Sequence, residues 1–186
     1  MSLLDIDGLD VSFGTLHAVR DVSLRLDRGE CLALVGESGS GKSVTARALA
    51  GLAGRGASVT ARRLTFDGTD LRTLKDPAWR DIRGRRIGLV LQDALVSLDP
   101  LRRVGAEIAE PLRAHRLLPR PELRPRVLEL LSDVGVPDPA RRAGQYPHQL
   151  SGDLRQRALI AAAVAAAPDL LIADEPTTAP DVTVQA

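Results

Sequence analysis

The sequence predicts an α/β fold in which a mainly parallel sheet is preceded by an antiparallel β region and interrupted by a helical insertion. Apolar runs of strand length occur at 31–35, 87–91 and 170–174, and near-continuous runs of this kind are typical of strands buried on both faces. Apolar and polar residues alternate at 3–13 and 22–26 instead, which favours antiparallel strands with one face in solvent.

Caps and turns place the elements around the first apolar run. Residues 43–50 are rich in good helix formers, and Gly51 or Gly54 supplies the stop. A short strand at 62–68 is predicted to run into an Asp-Gly turn.

The helical insertion follows the second apolar run. Apolar spacing predicts helices at 104–115 and 124–134. Ser151 is expected to cap an alanine-rich helix that reaches about Ala167 and stops at Pro168. Six prolines are expected to cut the region before it into short pieces: Pro111, Pro119, Pro121, Pro125, Pro137 and Pro139.

Composition and charge narrow the class of protein. The 186 residues are enough for one domain, which we expect to be divided at about 92 and 167 into a β subdomain with the core, a helical subdomain and a last strand with its loop. The net charge of +1 gives no support for nucleic-acid binding. Cys31 is the only cysteine, which fits a reducing compartment, and we interpret it as a small buried hydrophobe on its strand.

The most specific motif is a phosphate loop. Residues 36–43 match G-x-x-x-x-G-K-[S/T] at every fixed position, between an apolar run and a predicted helix. Glycines let the backbone approach an anion, and successive N–H groups at a helix start can hold phosphates. Lys42 would reach the outer phosphates, and the Ser43 hydroxyl would bind Mg²⁺. The predicted nucleotide contacts are Gly36, Glu37, Ser38, Gly39, Ser40, Gly41, Lys42, Ser43 and Val44.

An acidic pair ends the last predicted strand. Asp174 there can hold Mg²⁺ opposite Ser43, directly or through water, and Glu175 can polarise the water that attacks the γ-phosphate. Such a pair is by itself most often a solvated turn or a helix cap. Together with the phosphate loop, it favours nucleotide hydrolysis.

Four blocks in this order carry a family resemblance: 35–50, 90–100, 146–152 and 170–178. On them, the sequence resembles the nucleotide-binding subunit of an ABC transporter. It is similar over nearly its whole length to the ATPases of dipeptide, oligopeptide and nickel importers. The resemblance implies a P-loop NTPase fold with a RecA-like core, and Mg-ATP hydrolysis that powers import of peptides or nickel.

The resemblance also implies residue roles. Gln92 matches the residue that touches Mg²⁺ or water and couples the site to the membrane subunits. Ser151 and Gly152 match the signature that closes over a nucleotide held by the opposite subunit. Phe13 matches the aromatic that stacks on adenine, although a core position on a strand explains it equally well. The implied catalytic residues are Lys42, Gln92 and Glu175, and the implied metal ligands are Ser43, Gln92 and Asp174.

The same resemblance implies partners and a location. We expect a homo- or heterodimer with another such ATPase, bound to integral membrane permeases and served indirectly by a substrate-binding protein. The location would be the cytoplasmic face of the cell membrane, where the chain is peripheral.

Three departures from the family pattern favour an alternative, a degenerate module that binds ATP with little hydrolysis. Asp153 and Leu154 replace Gly-Gln in the signature, and a carboxylate 4 Å from a phosphate would cost about 4 kcal/mol at an effective dielectric of 20. Pro180 stands where the family has Leu, and proline fixes φ and removes a donor. The sequence stops at Ala186, before the family's switch histidine, so we expect a fragment or a truncated product with an exposed sheet edge.

Overall fold

The computed structural model describes residues 2–91 and 97–175, and the chain divides into two units, Met1–Arg83 and Gly84–Ala186. The predicted subdomain boundaries at about 92 and 167 stay a prediction.

The first unit is built on an antiparallel sheet, as the alternating pattern predicted. Its strands follow the order β2-β1-β4-β5, and β3 also pairs with β1. Leu9, Val11 and Phe66 are 0 % exposed and form the centre of its core. The five strands are β1 (Leu4–Phe13), β2 (Leu16–Leu26), β3 (Ala57–Thr60), β4 (Arg63–Phe66) and β5 (Thr69–Asp70).

A bulge in β1 explains why its apolar residues do not alternate evenly. Ile6 and Leu9 are three apart in sequence yet both face the core, and the pairing of β1 with β2 shifts register between them. Gly8 absorbs the extra residue at φ +61°. Arg62 lies over Gly8, where a Cβ would come within 2.4 Å of the guanidinium carbon.

Two local signals in the first unit are confirmed. Asp67 and Gly68 both have positive φ, 46° and 77°, the geometry of a two-residue hairpin turn between β4 and β5. Gly51, at φ +65°, ends the helix that follows the phosphate loop. The helices of this unit are α1 (Lys42–Leu49) and α2 (Asp76–Ile82), with a 3₁₀ turn at Leu71–Thr73 before α2.

The strand predicted at 31–35 is wrong for this structure. The segment has no regular secondary structure, and Leu32, Leu34 and Val35 are 47 %, 42 % and 92 % exposed. Cys31 is likewise exposed rather than a buried hydrophobe. The physical reason is that a strand needs a neighbour for its backbone N–H and C=O groups, and no strand among the described residues pairs with this segment.

The second unit carries the parallel pair and the helical insertion. β6 (Ile87–Val90) and β7 (Leu170–Ala173) pair in parallel, with Ile87 opposite Leu170 and Val90 opposite Ala173. The helices are α3 (Val104–Ala114), α4 (Arg120–Asp133), α5 (Pro139–Ala143) and α6 (Gly152–Val164), with a 3₁₀ turn at Pro147–Gln149. Their common core includes Val90, Val104, Ile108, Leu112, Val127, Leu131, Leu150, Ala158 and Ala161.

A close approach fixes β6 against α6. A Cβ on Gly88 would come within 2.4 Å of the Ala163 carbonyl oxygen, so only glycine allows the strand to lie this near the helix. The alanines of α6 serve the same purpose, because their short side chains let the helix lie close to its neighbours.

Two of the six prolines do not divide the helices as expected. Pro111 lies inside α3 and Pro125 inside α4, while Pro119, Pro121 and Pro139 lie at helix starts. An internal proline costs roughly 3 kcal/mol. Each fully buried aliphatic side chain of α3, such as Ile108, contributes roughly 1.5–3 kcal/mol, so packing outweighs the proline. Helix α4 also begins earlier than predicted, and α6 ends at Val164 rather than near Ala167.

Among the described residues, no helix combines the length and apolarity that a bilayer crossing needs.

Candidate nucleotide-binding site

The phosphate loop lies between the irregular segment 31–35 and α1. Residues 36–40 are exposed, and Gly39 and Gly41 take positive φ, 82° and 92°. A Cβ on Gly41 would come within 2.3 Å of the Ala18 carbonyl oxygen of β2. Glycine is therefore required at Gly41 for two reasons, its backbone conformation and its contact with the sheet.

Lys42 closes the loop on itself. Its Nζ donates to the carbonyl oxygens of Gly36 and Glu37, each at 2.8 Å. Because an ammonium group has three N–H donors, these two bonds hold the charge over the loop and still allow a third bond to an anion. Lys42 thus connects the start of α1 to the first two residues of the predicted phosphate loop.

The start of α1 is suited to an anion. Its N-cap is Gly41, which has no side chain to cap the helix, and its first turn has no acidic residue. The first N–H groups of a helix have no intrahelical acceptor and carry the positive end of its dipole. Phosphate therefore fits here chemically, and Ser43 and Val44 lie in this first turn.

Phe13 lies in the same unit as the loop. It ends β1, half-buried, where it pairs with Leu16 of β2 and Ala57 of β3. This position agrees with either a strand residue or an adenine contact, so its role stays a prediction.

Asp174 and Glu175 follow β7 directly. The Asp174 N–H donates to the Val90 carbonyl oxygen at 2.9 Å, and the residue is only 5 % exposed. Carboxylate oxygens are hard donors of the kind that a divalent cation prefers, so Asp174 is chemically suited to bind one. Glu175 is exposed and has φ +47°, a left-handed conformation that residues other than glycine adopt at a cost and that is frequent at functional positions.

Ser151 caps the signature helix as predicted. Its hydroxyl accepts the Leu154 N–H at 3.3 Å. Gly152 follows as the first helical residue, and a Cβ there would meet none of the described atoms within 4 Å. Glycine in a helix is unfavourable by about 1 kcal/mol relative to alanine, so contacts within the described chain give no reason for it.

Asp153 is not the isolated charge that the sequence interpretation assumed. Its Oδ2 accepts Arg157 Nε at 2.8 Å, one helical turn further along α6. Arg157 Nη1 in turn donates to the Val134 carbonyl oxygen at 3.0 Å, beyond the end of α4. The cation partly balances the carboxylate, so the repulsion of 4 kcal/mol expected for a bare charge is an overestimate.

Arg157 is a residue that the sequence interpretation missed. An acidic residue four positions before a basic one on a predicted helix is a usable signal of an ion pair, and Asp153 and Arg157 have that spacing. The contact with Val134, 23 residues away in sequence, had no such signal.

Two predicted features lie outside the described residues. They are Gln92 and the loop that contains Pro180. Their assigned roles stay predictions.

Comparison with known proteins places these features in one family. The family model described as ABC transporter matches residues 19–178. The dipeptide transport ATP-binding protein DppD of Lactococcus lactis is 48 % identical over 189 residues, which cover 99 % of this chain and 54 % of that protein. The oligopeptide transport ATP-binding protein OppD of Bacillus subtilis is 46 % identical, over 99 % of this chain and 53 % of that protein. The chain thus spans about half the length of the curated relatives it matches.

A solved structure supports the fold. The ATP-binding cassette MJ0796, a dimer in a post-hydrolysis state bound to ADP and Pi, superposes with a TM-score of 0.84 at 30 % identity, over 96 % of this chain and 76 % of that chain. The predicted α/β fold of the P-loop NTPase type is thereby confirmed. The chain belongs to the ABC transporter family.

Proposed function

We propose that the chain is the ATP-binding part of an ABC importer, and that it binds and hydrolyses Mg-ATP to power peptide uptake. The observation that carries the proposal is the phosphate loop, in which Lys42 bridges Gly36 and Glu37 in front of an uncapped helix start. Peptide is preferred to nickel as cargo because the relatives described above are named for dipeptide and oligopeptide transport.

The proposed chemistry assigns each residue a separate task. Backbone N–H groups of the loop and of α1 bind the phosphates, and Lys42 neutralises charge on the outer ones. Glu175 accepts a proton from the attacking water.

The proposed metal is Mg²⁺, with ligands Ser43, Gln92 and Asp174. Hydroxyl, amide and carboxylate oxygens are the hard donors that this ion prefers, so the donor set fits. When bound, Mg²⁺ would neutralise negative charge on the β- and γ-phosphates.

The proposal includes assembly. Two such ATPases would pair so that Ser151 and Gly152 of one face the nucleotide of the other, as the open space in front of Gly152 allows. The pair would bind integral membrane permeases at the cytoplasmic face of the membrane, with a substrate-binding protein acting indirectly. The described residues lend no support to a degenerate module, because the loop is intact and Asp153 is ion-paired.

Equilibrium binding of Mg-ATP tests the first half of the proposal. We expect Lys42→Ala to weaken binding at least about tenfold, since a hydrogen bond to a charged group contributes roughly 1.5–3 kcal/mol. Lys75→Ala is the matched control, because Lys75 is exposed, makes no capping bond at α2 and should leave binding unchanged. Equal affinity in wild type and Lys42→Ala would refute the proposed site.

Single-turnover hydrolysis by the protein assembled with its membrane partners tests the second half. Glu175→Gln should keep ATP binding and slow hydrolysis by about 10²- to 10⁴-fold, the usual contribution of a general base. Glu122→Gln, at an exposed position of α4, is the control for loss of one carboxylate. Wild-type turnover in Glu175→Gln, or no turnover in the wild type, would favour the binding module instead.

A further inference from the structure

Helix α1 has no side-chain cap at its N-terminal end, so its C-terminal end is important for its stability. The helix has only eight residues, and helices this short are marginal in water on their own. Its first turn has neither a side-chain cap nor an acidic residue. A side chain that capped this end would compete with the phosphates for the same N–H groups. Because that cap is missing, packing and contacts at the C-terminal end have to stabilise α1.

Arg83 supplies the cap at that end. Its Nε donates to the Ala50 carbonyl oxygen at 2.9 Å, and its Nη2 donates to the Gly51 carbonyl oxygen at 3.2 Å. These carbonyls lie just beyond the last turn, where a helix has unsatisfied acceptors and the negative end of its dipole. A guanidinium group can donate several hydrogen bonds to such carbonyl oxygens, and its positive charge interacts favourably with the negative end of the dipole.

Trp79 holds Arg83 and the helix end in place. The Arg83 guanidinium carbon lies 5.3 Å from the centroid of the Trp79 ring, a cation–π contact. Trp79 is 9 % exposed, and a Cβ on Gly51 would come within 2.6 Å of its Cε2 atom. The Arg83 N–H donates to the Trp79 carbonyl oxygen at 2.9 Å, so both residues belong to one rigid turn at the end of α2.

We propose that Arg83 is a positioning residue for nucleotide binding, and that Trp79 reports occupancy of the phosphate loop. By capping α1 at Ala50 and Gly51, Arg83 keeps the N–H groups at the opposite end ordered before ATP arrives. The measured affinity of a site falls with the fraction of molecules in the competent state, so loss of the cap weakens ATP binding without touching the ligand. The coupling is reciprocal, so bound ATP tightens the contacts around Trp79.

This inference rests on the proposed function, since it requires that the loop binds nucleotide. Trp79 is the only tryptophan, so intrinsic fluorescence observes it directly without a variant. We expect wild-type fluorescence to change on titration with Mg-ATP, with the same midpoint as binding measured by equilibrium dialysis. Binding by dialysis without any fluorescence change would overturn the role of Trp79 and leave the proposed function intact.

Variants at Arg83 test the positioning role. Arg83→Met keeps the apolar stem and removes the charge, and we expect its Kd for Mg-ATP to rise about fivefold. Arg83→Lys should restore part of the affinity, because it returns the charge but not the fork. Arg80→Met is the matched control, since Arg80 is an exposed arginine of the same α2, and its Kd should equal that of wild type.

Two further readouts separate positioning from a loss of overall stability. Binding is measured at a temperature where circular dichroism shows each variant to be folded, and amide exchange is followed at 42–52. Faster exchange there in Arg83→Met, suppressed again by saturating Mg-ATP, is the expected result. An unchanged Kd in folded Arg83→Met, or a Kd of Arg83→Lys no better than that of Arg83→Met, would overturn the inference. If wild type fails to bind Mg-ATP in dialysis, the proposed function fails with it.

Discussion

Gly41 and Gly152 each open a helix that carries a nucleotide motif, but for different reasons. Glycine is required at Gly41 by contacts within the chain. Its φ is +92°, and a Cβ would come within 2.3 Å of the Ala18 carbonyl oxygen. Gly152 has an ordinary helical backbone and open space in front of it. Contacts among the described residues therefore explain the glycine of the phosphate loop but not that of the signature, for which we propose the approach of a partner.

The largest effect is expected for Gly41→Ala. The variant has to force Ala18 and the loop apart and adopt a strained φ, which costs roughly 1–3 kcal/mol for the backbone alone. Gly29→Ala is the control, because Gly29 has φ +79° but no atom within 4 Å of its Cβ position. Thermal unfolding should place Gly41→Ala clearly below Gly29→Ala, and equal melting temperatures would show that the clash with β2 does not matter.

The next effect concerns turnover rather than folding. Gly152→Ala should keep or slightly raise the melting temperature, since its Cβ meets no described atom and alanine is favoured over glycine in a helix. ATP hydrolysis by the assembled protein should fall on the order of 10- to 100-fold, because the approach of a partner is disturbed. The readout is steady-state phosphate release with the membrane partners present. Gly144→Ala, another exposed glycine with ordinary φ (−82°), should hydrolyse ATP normally. Wild-type hydrolysis in Gly152→Ala would contradict the proposal that a partner's close approach requires glycine at this position.

A smaller effect is expected where the signature helix meets α4. Arg157→Met loses both the Asp153 ion pair and the bond to the Val134 carbonyl, so we expect a loss of about 1 kcal/mol of unfolding free energy. Asp153→Asn loses only the exposed pair, worth about 0.5 kcal/mol or less.

Urea unfolding of both variants measures the difference. Arg126→Met is the comparison, since it removes an exposed pair with Glu129 on α4 and should resemble Asp153→Asn. If Arg157→Met were no more destabilising than Arg126→Met, the contact with α4 would have no energetic role.

The smallest effect is a pH dependence in the first unit. Hydrogen bonding to Arg62 lowers the pKa of Asp7, so the carboxylate favours folding above the pKa that Asp7 has in the unfolded chain. That stabilisation should disappear as pH falls below about 4 and through the lowered folded-state pKa, because the proton then binds the unfolded chain more strongly. Melting temperature measured between pH 5 and pH 2.5 should fall less steeply in Asp7→Asn than in wild type. Asp81→Asn removes an exposed acid of α2 and controls for the change in net charge. A slope in Asp7→Asn equal to that of wild type would contradict the stabilising role of the Asp7 carboxylate.

Local signals account for most of what the sequence predicted correctly. The Asp67-Gly68 turn, the Ser151 cap and the stop at Gly51 each depend on neighbours within a few residues. Strands β6 and β7 were also predicted, because both runs are apolar and of strand length, whereas their parallel pairing was not.

The failures have a common cause in distant contacts. An apolar run such as 31–35 becomes a strand only where another strand pairs with it, and proline stays inside a helix where packing outweighs its cost. Arg83 and Ala50 are 33 residues apart in sequence, so no short-range sequence pattern predicts the hydrogen bond between them. The family resemblance supplied the candidate site residues, whose roles stay predictions, and it did not indicate the cap at the far end of α1.

The most direct test of this comparison is the Kd for Mg-ATP of Gly41→Ala and Gly152→Ala measured side by side with wild type. The account predicts wild-type affinity for Gly152→Ala and a loss of at least about tenfold for Gly41→Ala, since only the latter disturbs the N–H groups that hold phosphate. Equal losses in both variants, or wild-type binding by Gly41→Ala, would contradict it.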